Sequence, residues 1–305
     1  MRTIRGLESY PPDARPGAVA LGAFDGIHLG HRAILGRAVT LARERGLEAL
    51  ACTFDPHPLE VLQPDRAPRP ITTLADRLDL IAETGIDTAV VVAFTRAIAA
   101  LEPEAFVRDA LAGTLRAREI VVGFNHRFGR GARGDARLLE TLGPALGFRT
   151  HVVAPLEVDG VPVSSSEIRA ALGRGDLERA ARLLGRPYAL GGEVVHGAGR
   201  GRTLGFPTAN LRMDLRLPLA PGVYACRARV GPAEYRAVVN AGVRPTFGET
   251  ELAVEAHLLD FSGDLYGQRI QLTFLRRLRE ERRFPSVEAL REQIAADVAA
   301  ARRKA

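Results

Sequence analysis

Near residue 185 the hydrophobic patterning changes character, and that change limits the fold more than any other feature of the chain. Before it, continuous apolar runs alternate with helical periodicity. The runs "AVALGAF" (18–24), "LEALACTF" (47–54), "TAVVVAF" (88–94), "EIVVG" (119–123) and "RTHVVA" (149–154) read as strands. Between them, Ile34, Ala38 and Leu41 share a helical face stopped by Gly46. Thr73 with Asp76 forms a capping box for a helix carrying Leu74, Leu78 and Ile81 and ending at Gly85. Further helices are expected over 103–111 and around 138–142. Apolar strands separated by single helices predict a parallel sheet covered on both faces. Ligands of such a sheet lie beyond the carboxyl ends of its strands, where the strand order reverses.

After Leu184 the segment "GRPYALGGEVVHGAGRGRTLGFPTANL" is rich in glycine and turn residues, and period-two segments follow. Tyr224, Cys226, Ala228 and Val230 share one face; Val254, Ala256 and Leu258 share another, with Glu255 and His257 opposite; Ile270, Leu272 and Phe274 repeat the pattern. Short alternating strands without intervening helices predict an antiparallel sheet or small barrel. From Ser286 the tail reads as one helix with Val287, Leu290, Ile294 and Val298 on its buried stripe. The 305 residues therefore divide into expected domains over 1–185 and 186–305.

Composition narrows the chemistry. With 46% hydrophobic and 26% charged residues the chain is of ordinary globular type, and no run resembles a transmembrane span. The amino-terminal segment lacks the apolar core of a signal peptide, so a cytoplasmic address and no membrane partner are expected. Cys52 and Cys226 sit far apart in apolar runs, which suits buried reduced thiols. The net charge of +6 comes from scattered arginines rather than a basic block, so no nucleic-acid partner is expected. Lys304 is the sole lysine, which excludes a Walker A loop, a Schiff base and a kinase-type lysine. Any anion must be gripped by arginine, histidine, backbone amides or a metal.

"GAFDGIHLGH" (22–31) follows the first strand run. Its Gly22, Gly26 and Gly30 permit close backbone approach, and the helix beginning near Leu29 offers unpaired amides to an anion. His28 and His31 lie on one helical face and can donate to phosphate oxygens. Two plainer readings stand beside this one: an HxxH zinc pair, for which no third ligand follows nearby, and histidines that cap or pack. Further along, "TFDPHPLEVL" places His57 after the second strand run. "VGFNHRFGRGARGD" places Asn125, Arg127 and Phe128 after a later one, and "VSSSEIRAAL" opens a helix bearing Arg169. Ser164 with Glu167 also reads as a capping box.

Together these segments resemble the adenylyltransferase module of the prokaryotic riboflavin kinase/FAD synthetase family, whose first domain is a Rossmann-like nucleotidyltransferase. The resemblance implies attack of the FMN phosphate on the α-phosphate of ATP, with release of pyrophosphate and no covalent enzyme intermediate. It makes His28, His31 and Arg169 catalytic, with the histidines on ATP phosphates and Arg169 on the leaving pyrophosphate. Gly22, Phe24, Asp25, Gly26, Ser164 and Ser165 join them at the nucleotide. His57, Asn125 and Phe128 are implied flavin contacts. This chain departs from the family at His126, where the family usually has an aromatic residue, and at Ser166, where it often has threonine.

In the second half, "HGAGRGRTLGFPTANL" (196–211) fails the GxGxxG register at Arg202 and lies between strands, which is not a dinucleotide fingerprint. Pro207 fixes the backbone while Thr208 and Asn210 offer oxygen ligands at period-two spacing, suited to Mg²⁺. With "APGVYA", "VVNAGVRPTFG", "VEAHLLDFSGDLYG" and "LREERRFPSVEAL", this run resembles the riboflavin kinase domain throughout. The resemblance implies a small antiparallel β-barrel with a C-terminal helix. Glu255 is then the general base for the ribityl hydroxyl that attacks the γ-phosphate of ATP, and the plainer reading of Glu255 is a solvated outer-face residue. Gly197, Gly199, Gly201, Arg202, Pro207 and Thr208 become the ATP site, Thr208 and Asn210 the Mg²⁺ ligands, and Arg279 a flavin contact.

The leading expectation is one bifunctional enzyme that makes FMN and then FAD from riboflavin and ATP. An alternative is activity in one module alone, a riboflavin kinase with a weak or silent adenylyltransferase. A third reading is a flavin- or nucleic-acid-binding protein without catalysis. Oligomeric state is left open.

Overall fold

The computed structural model describes residues 1–197, 200–246 and 249–303, so Gly199, Phe247, Gly248 and Lys304 of the segments above lie outside the described residues. The chain divides into two compact units, Met1–Pro68 with Leu74–Ser164 and Arg69–Thr73 with Ser165–Ala305.

The first unit holds β1 (Arg2–Arg5), β2 (Gly17–Leu21), β3 (Glu48–Asp55), β4 (Thr88–Ala93), β5 (Ala117–Gly123) and β6 (Arg149–Val153). They form one sheet in the order β1-β4-β3-β2-β5-β6 with every pairing parallel. The order reverses between β2 and β5, which fixes the crevice for ligands at the carboxyl end of β2. A two-stranded hairpin, β7 (Glu157–Val158) and β8 (Val161–Pro162), follows. The predicted parallel sheet is thus present, with one strand more than the apolar runs reveal. That strand, β1, is a four-residue edge in which only Ile4 is buried, too short and too polar to announce itself.

Both faces are covered. On one, the helix Leu29–Arg45 lays Ile34, Leu35, Ala38 and Leu41 over Ala18, Ala20, Ala51 and Val121. Gly46 ends this helix in the left-handed conformation (φ 65°), its N–H on the Ala42 carbonyl. The opposite face packs Val19, Leu50, Val90 and Ile120 against Phe106, Leu111 and Leu139. The helix expected over 103–111 runs further: Pro103–Ala105 widens into a π-helix over Phe106–Thr114, with the Leu115 N–H reaching back to Ala110 at 2.9 Å. Helix Leu74–Ala82 buries Ile81, as its pattern predicts, together with Arg77, which no apolar periodicity would place there.

The second unit opens with helices Ser165–Arg174 and Leu177–Leu184, then builds a closed six-stranded barrel. Its strands are β9 (Tyr188–Val195), β10 (Ala209–Met213), β11 (Gly222–Val230), β12 (Ala233–Thr246), β13 (Glu249–Leu258) and β14 (Arg269–Arg279), in the order β10-β13-β12-β11-β14-β9. All pairings are antiparallel, as the period-two pattern requires. Tyr224, Cys226, Val254, Ala256, Leu272 and Phe274 are buried within it, and the Tyr224 hydroxyl donates to the Ala220 carbonyl at 2.5 Å.

Helix Val287–Arg303 packs outside the barrel, where Ala301 and Val298 meet Val223, Ala225, Val238 and Leu259. The stripe predicted for this helix is only partly buried. Val287 is 59% exposed in the first turn, whereas Leu290 and Ile294 face a cavity and Asp297 is buried. The apolar spacing identified the face correctly but did not show that a polar residue on it has a buried partner.

Candidate active sites

Beyond β2 the chain turns sharply. Phe24 (φ 52°) and Ile27 (φ 38°) both occupy left-handed backbone that L-residues with bulky side chains avoid. Each such residue costs about 1–3 kcal/mol and persists only where its surroundings hold it. Here both side chains are fully buried in one cluster with Ile34 and Leu35, which holds the turn in shape. Gly22 suits the turn, since a Cβ there would press on the Phe24 ring at 3.0 Å and the ring would have to give way.

The turn delivers His28 as N-cap of helix Leu29–Arg45, its Nδ1 accepting the His31 N–H at 3.1 Å. That role fixes the neutral ring as the Nε2–H tautomer, with Nε2 as its donor. His28 and His31 stack, with ring centroids 3.6 Å apart and planes at 17°, and Phe24 meets His31 edge-on at 5.3 Å. The Phe24 ring therefore supports the imidazoles from below. Asp25 is buried in the same turn, and Gly30 brings the helix backbone close to the His28 ring. Helix N-terminus, donor imidazoles and glycine backbone thus converge at the switch point of the sheet, an arrangement that can hold phosphate.

The remaining predicted positions in this unit are held locally. His57 caps helix Pro58–Leu62, its Nδ1 accepting from Leu59 N–H at 3.2 Å while Glu60 reaches back to the His57 N–H at 3.3 Å. Asn125 is exposed past the end of β5, whereas Phe128 is buried against Phe106 and pairs with Gly134 through two backbone hydrogen bonds. Ser164 is half-buried just before helix Ser165–Arg174, whose first residue, Ser165, is also half-buried. In the second unit, Glu167 meets Arg179 at 3.1 Å, and Arg169 Nε donates to the Arg69 carbonyl at 2.8 Å.

In the barrel unit a cavity of about 630 Å³, within the range of small-molecule sites, opens on the outer face of the strands beneath the C-terminal helix. Strand register builds its wall. Asn210 on β10 pairs with Glu255 on β13, Glu255 with Asn240 on β12, Asn240 with Val223 on β11, and Val223 with Arg279 on β14. All five line the cavity, so Glu255 stands on the outer strand face and yet is half-buried in the cavity wall. His257, two residues on, donates from Nδ1 to the Pro207 carbonyl at 2.7 Å and takes the Phe206 ring edge-on.

Two glycines allow the adjoining loop to close. A Cβ on Gly197 would overlap the Asn210 amide, and one on Gly201 would lie 2.9 Å from Thr208 Oγ1. Helix Arg200–Thr203 is a single turn, with Arg202 exposed. On the far wall Arg279 is fixed by Asp297, at 3.0 Å from Nε and 2.9 Å from Nη2. Gln293 also donates to Asp297, and Arg279 and Arg282 lie over the Phe284 ring. The predicted oxygen donors Thr208 and Asn210 and the base Glu255 are brought to one cavity. Alternation already put His257 on the face of Glu255, whereas Asn240 reaches the cavity through strand register, which alternation alone does not specify.

The chain is similar to known proteins over its whole length. A family model for FAD synthetase matches residues 10–167, and one for riboflavin kinase matches residues 184–305. The bifunctional riboflavin kinase/FMN adenylyltransferase of Escherichia coli K12 is 40% identical over 304 residues, covering 99% of this chain and 97% of its own. The protein of the same name from Bacillus subtilis 168 is 39% identical over 285 residues, 92% of this chain and 89% of its own. A crystal structure described as a macrolide-efflux protein from Streptococcus pneumoniae matches with a TM-score of 0.89 at 31% identity, covering all of both chains. Among the described residues no helix is long and apolar enough to cross a membrane. Two domain matches in the order of the two folded units, and full-length relatives at this identity, lead to one statement: the chain belongs to the bifunctional riboflavin kinase/FMN adenylyltransferase family.

Proposed function

We propose that this chain makes FMN from riboflavin in the barrel cavity and FAD from FMN at the Gly22–His31 turn, consuming one ATP at each. In the first reaction Glu255 accepts the proton of the ribityl 5′-hydroxyl as its oxygen bonds to the γ-phosphorus of ATP, and the bond to ADP breaks. The observation that carries this assignment is Glu255 standing in register between Asn210 and Asn240 in the wall of the cavity. Asn240 and Asn210 orient the carboxylate's surroundings, and His257 holds the Pro207 carbonyl and so the approach of Thr208.

Thr208 hydroxyl and Asn210 amide oxygens are hard donors that fit Mg²⁺, beside the Glu255 carboxylate in the same cavity. Mg²⁺ takes oxygen ligands and keeps several waters, so two protein oxygens can serve it beside substrate phosphates. When bound, Mg²⁺ neutralises phosphate charge.

In the second reaction an FMN phosphate oxygen bonds to the α-phosphorus of ATP and pyrophosphate leaves. His28 and His31 donate to phosphate oxygens where this chain has no lysine to do so. By resemblance, Arg169 with Ser164 and Ser165 serves the nucleotide, and His57, Asn125 and Phe128 serve the flavin. The functional boundary is placed at 185/186. Cys52 and Cys226 are buried thiols, and burial pushes Cys52 up to about 12, which suits a cytoplasmic protein with inert cysteines. Small-molecule substrates rather than nucleic acid account for its basic charge.

Incubation with riboflavin, ATP and Mg²⁺, followed by chromatography, tests the assignment. FMN and FAD should both form. FMN without FAD would leave a silent first unit, and neither product would overturn the enzymatic reading.

A further inference from the structure

Helix Leu74–Ala82 turns one cation inward. Arg77 is 5% exposed, and its Nη1 donates to the carbonyls of Phe54 at 2.9 Å and Ala23 at 3.1 Å, with Thr53 Oγ1 at 3.5 Å. Thr53 Oγ1 donates to the same Ala23 carbonyl at 3.0 Å. All these acceptors are uncharged, and a guanidinium does not shed its proton in a protein. Burying a charge against neutral partners is costly, and an apolar side chain of similar length would fill the position at lower cost. The helix already carries Leu74, Leu78 and Ile81, so hydrophobic packing does not explain an arginine there.

Position explains it better. Phe54 lies at the carboxyl end of β3 and Ala23 just past the carboxyl end of β2, and β2 and β3 are neighbours at the centre of the sheet. Ala23 is also the residue before Phe24, where the backbone enters the left-handed region. Asp25, Asp55 and Glu60 are close enough to raise the proton affinity of Arg77 against the lowering effect of burial. The guanidinium thus sits beneath the mouth of the crevice, surrounded by the residues that form its rim.

We propose that Arg77 is a positioning residue for adenylyl transfer. By drawing the Ala23 and Phe54 carbonyls to one point, it sets the peptide plane between Ala23 and Phe24, and through it the turn that presents His28 and His31. Arg77 touches neither substrate. This rests on the assignment of FAD formation to the Gly22–His31 turn.

The test compares R77M, R77K and H31A in the full chain, measuring kcat and the KM for ATP in FAD formation from FMN, with FMN formation from riboflavin as an internal control. R77M is expected to lower kcat/KM for FAD formation by about 100-fold, the scale of an ångström-sized misplacement. FMN formation should stay at the wild-type rate, and R77K, which keeps one donor, should fall between. Folded R77M with kcat and KM within about twofold of wild type would overturn the proposal.

If R77M does not fold, R77K decides by amide hydrogen exchange. Faster exchange at residues 22–27 with reduced kcat supports the clamp, and wild-type values of both overturn it. H31A separates the two layers of inference. Retained FAD formation in H31A refutes the site assignment itself, whereas its loss beside an unimpaired R77M refutes only the role of Arg77.

Discussion

Replacing His126 by phenylalanine should flatten the acid limb of the first unit's stability. The His126 ring lies nearly parallel to Phe128, at 5.8 Å and 23°, and its Nε2 is buried without a hydrogen-bond partner. Burial pulls the imidazole down from 6.5 to about 4. The folded state therefore disfavours the proton, while the unfolded chain takes it up near pH 6.5. Stability is complete above pH 6.5 and declines as pH falls toward 4, because in that window the unfolded state binds more protons. At pH 5, roughly 1.5 pH units below the unfolded pKa, the loss is about 2 kcal/mol. Phenylalanine keeps the flat ring and removes the nitrogen that lacks a partner, which adds about 1 kcal/mol at any pH. Urea unfolding read by hydrogen exchange at the β5 amides reports on this unit alone. The advantage of H126F over wild type should be about 1 kcal/mol at pH 8 and about 3 kcal/mol at pH 5. An advantage that does not change between the two pH values would refute the reasoning.

Other perturbations follow from the same geometry. In G201A the new methyl lies 2.9 Å from Thr208 Oγ1 and against the Phe206 carbonyl, so the loop must shift. FMN formation should fall about tenfold or more and require more Mg²⁺, with FAD formation from FMN unchanged; steady-state assays over a Mg²⁺ series check both. Asp87 is held below the usual carboxylate range first by its forked bond from Arg43, at 2.7 and 2.8 Å, and further by the Ala49 N–H. Its contribution is present above the unfolded pKa and is lost as pH falls through the folded one. D87N should therefore cost about 1 kcal/mol at pH 7, allowing for solvent screening, and progressively less as pH falls below the usual carboxylate pKa of about 3.9 in urea titrations.

The fold was legible wherever one physical signal dominated. Continuous apolar runs gave the five inner and outer strands of the parallel sheet other than β1, whose single buried residue carries no period. Alternation through Tyr224, Cys226, Ala228 and Val230 located β11, and Gly46 marked its helix end. Strand β12 was harder to read, because the adjacent Val238 and Val239 are both buried, on opposite faces, which breaks the period-two alternation. At the sites, motif chemistry indicated residue types and spacing but not side-chain direction. Nothing in "GAFDG" announces that Phe24 points inward under His31, since that depends on the sign of one φ angle. Arg279 reads as a cation available to a ligand, yet Asp297, eighteen residues on, already engages it. Arg77 left no trace in the helical pattern, because its acceptors are backbone carbonyls of two other segments.

The proposed function requires two reactions at two separate sites in one chain. It is tested most directly by E255Q and H31A assayed side by side, with FMN and FAD separated by chromatography. E255Q should lose FMN formation by about 10²- to 10⁴-fold, the usual contribution of a general base, and convert supplied FMN to FAD at the wild-type rate. H31A should show the reverse. If either folded variant lost both activities together, two independent sites would be contradicted.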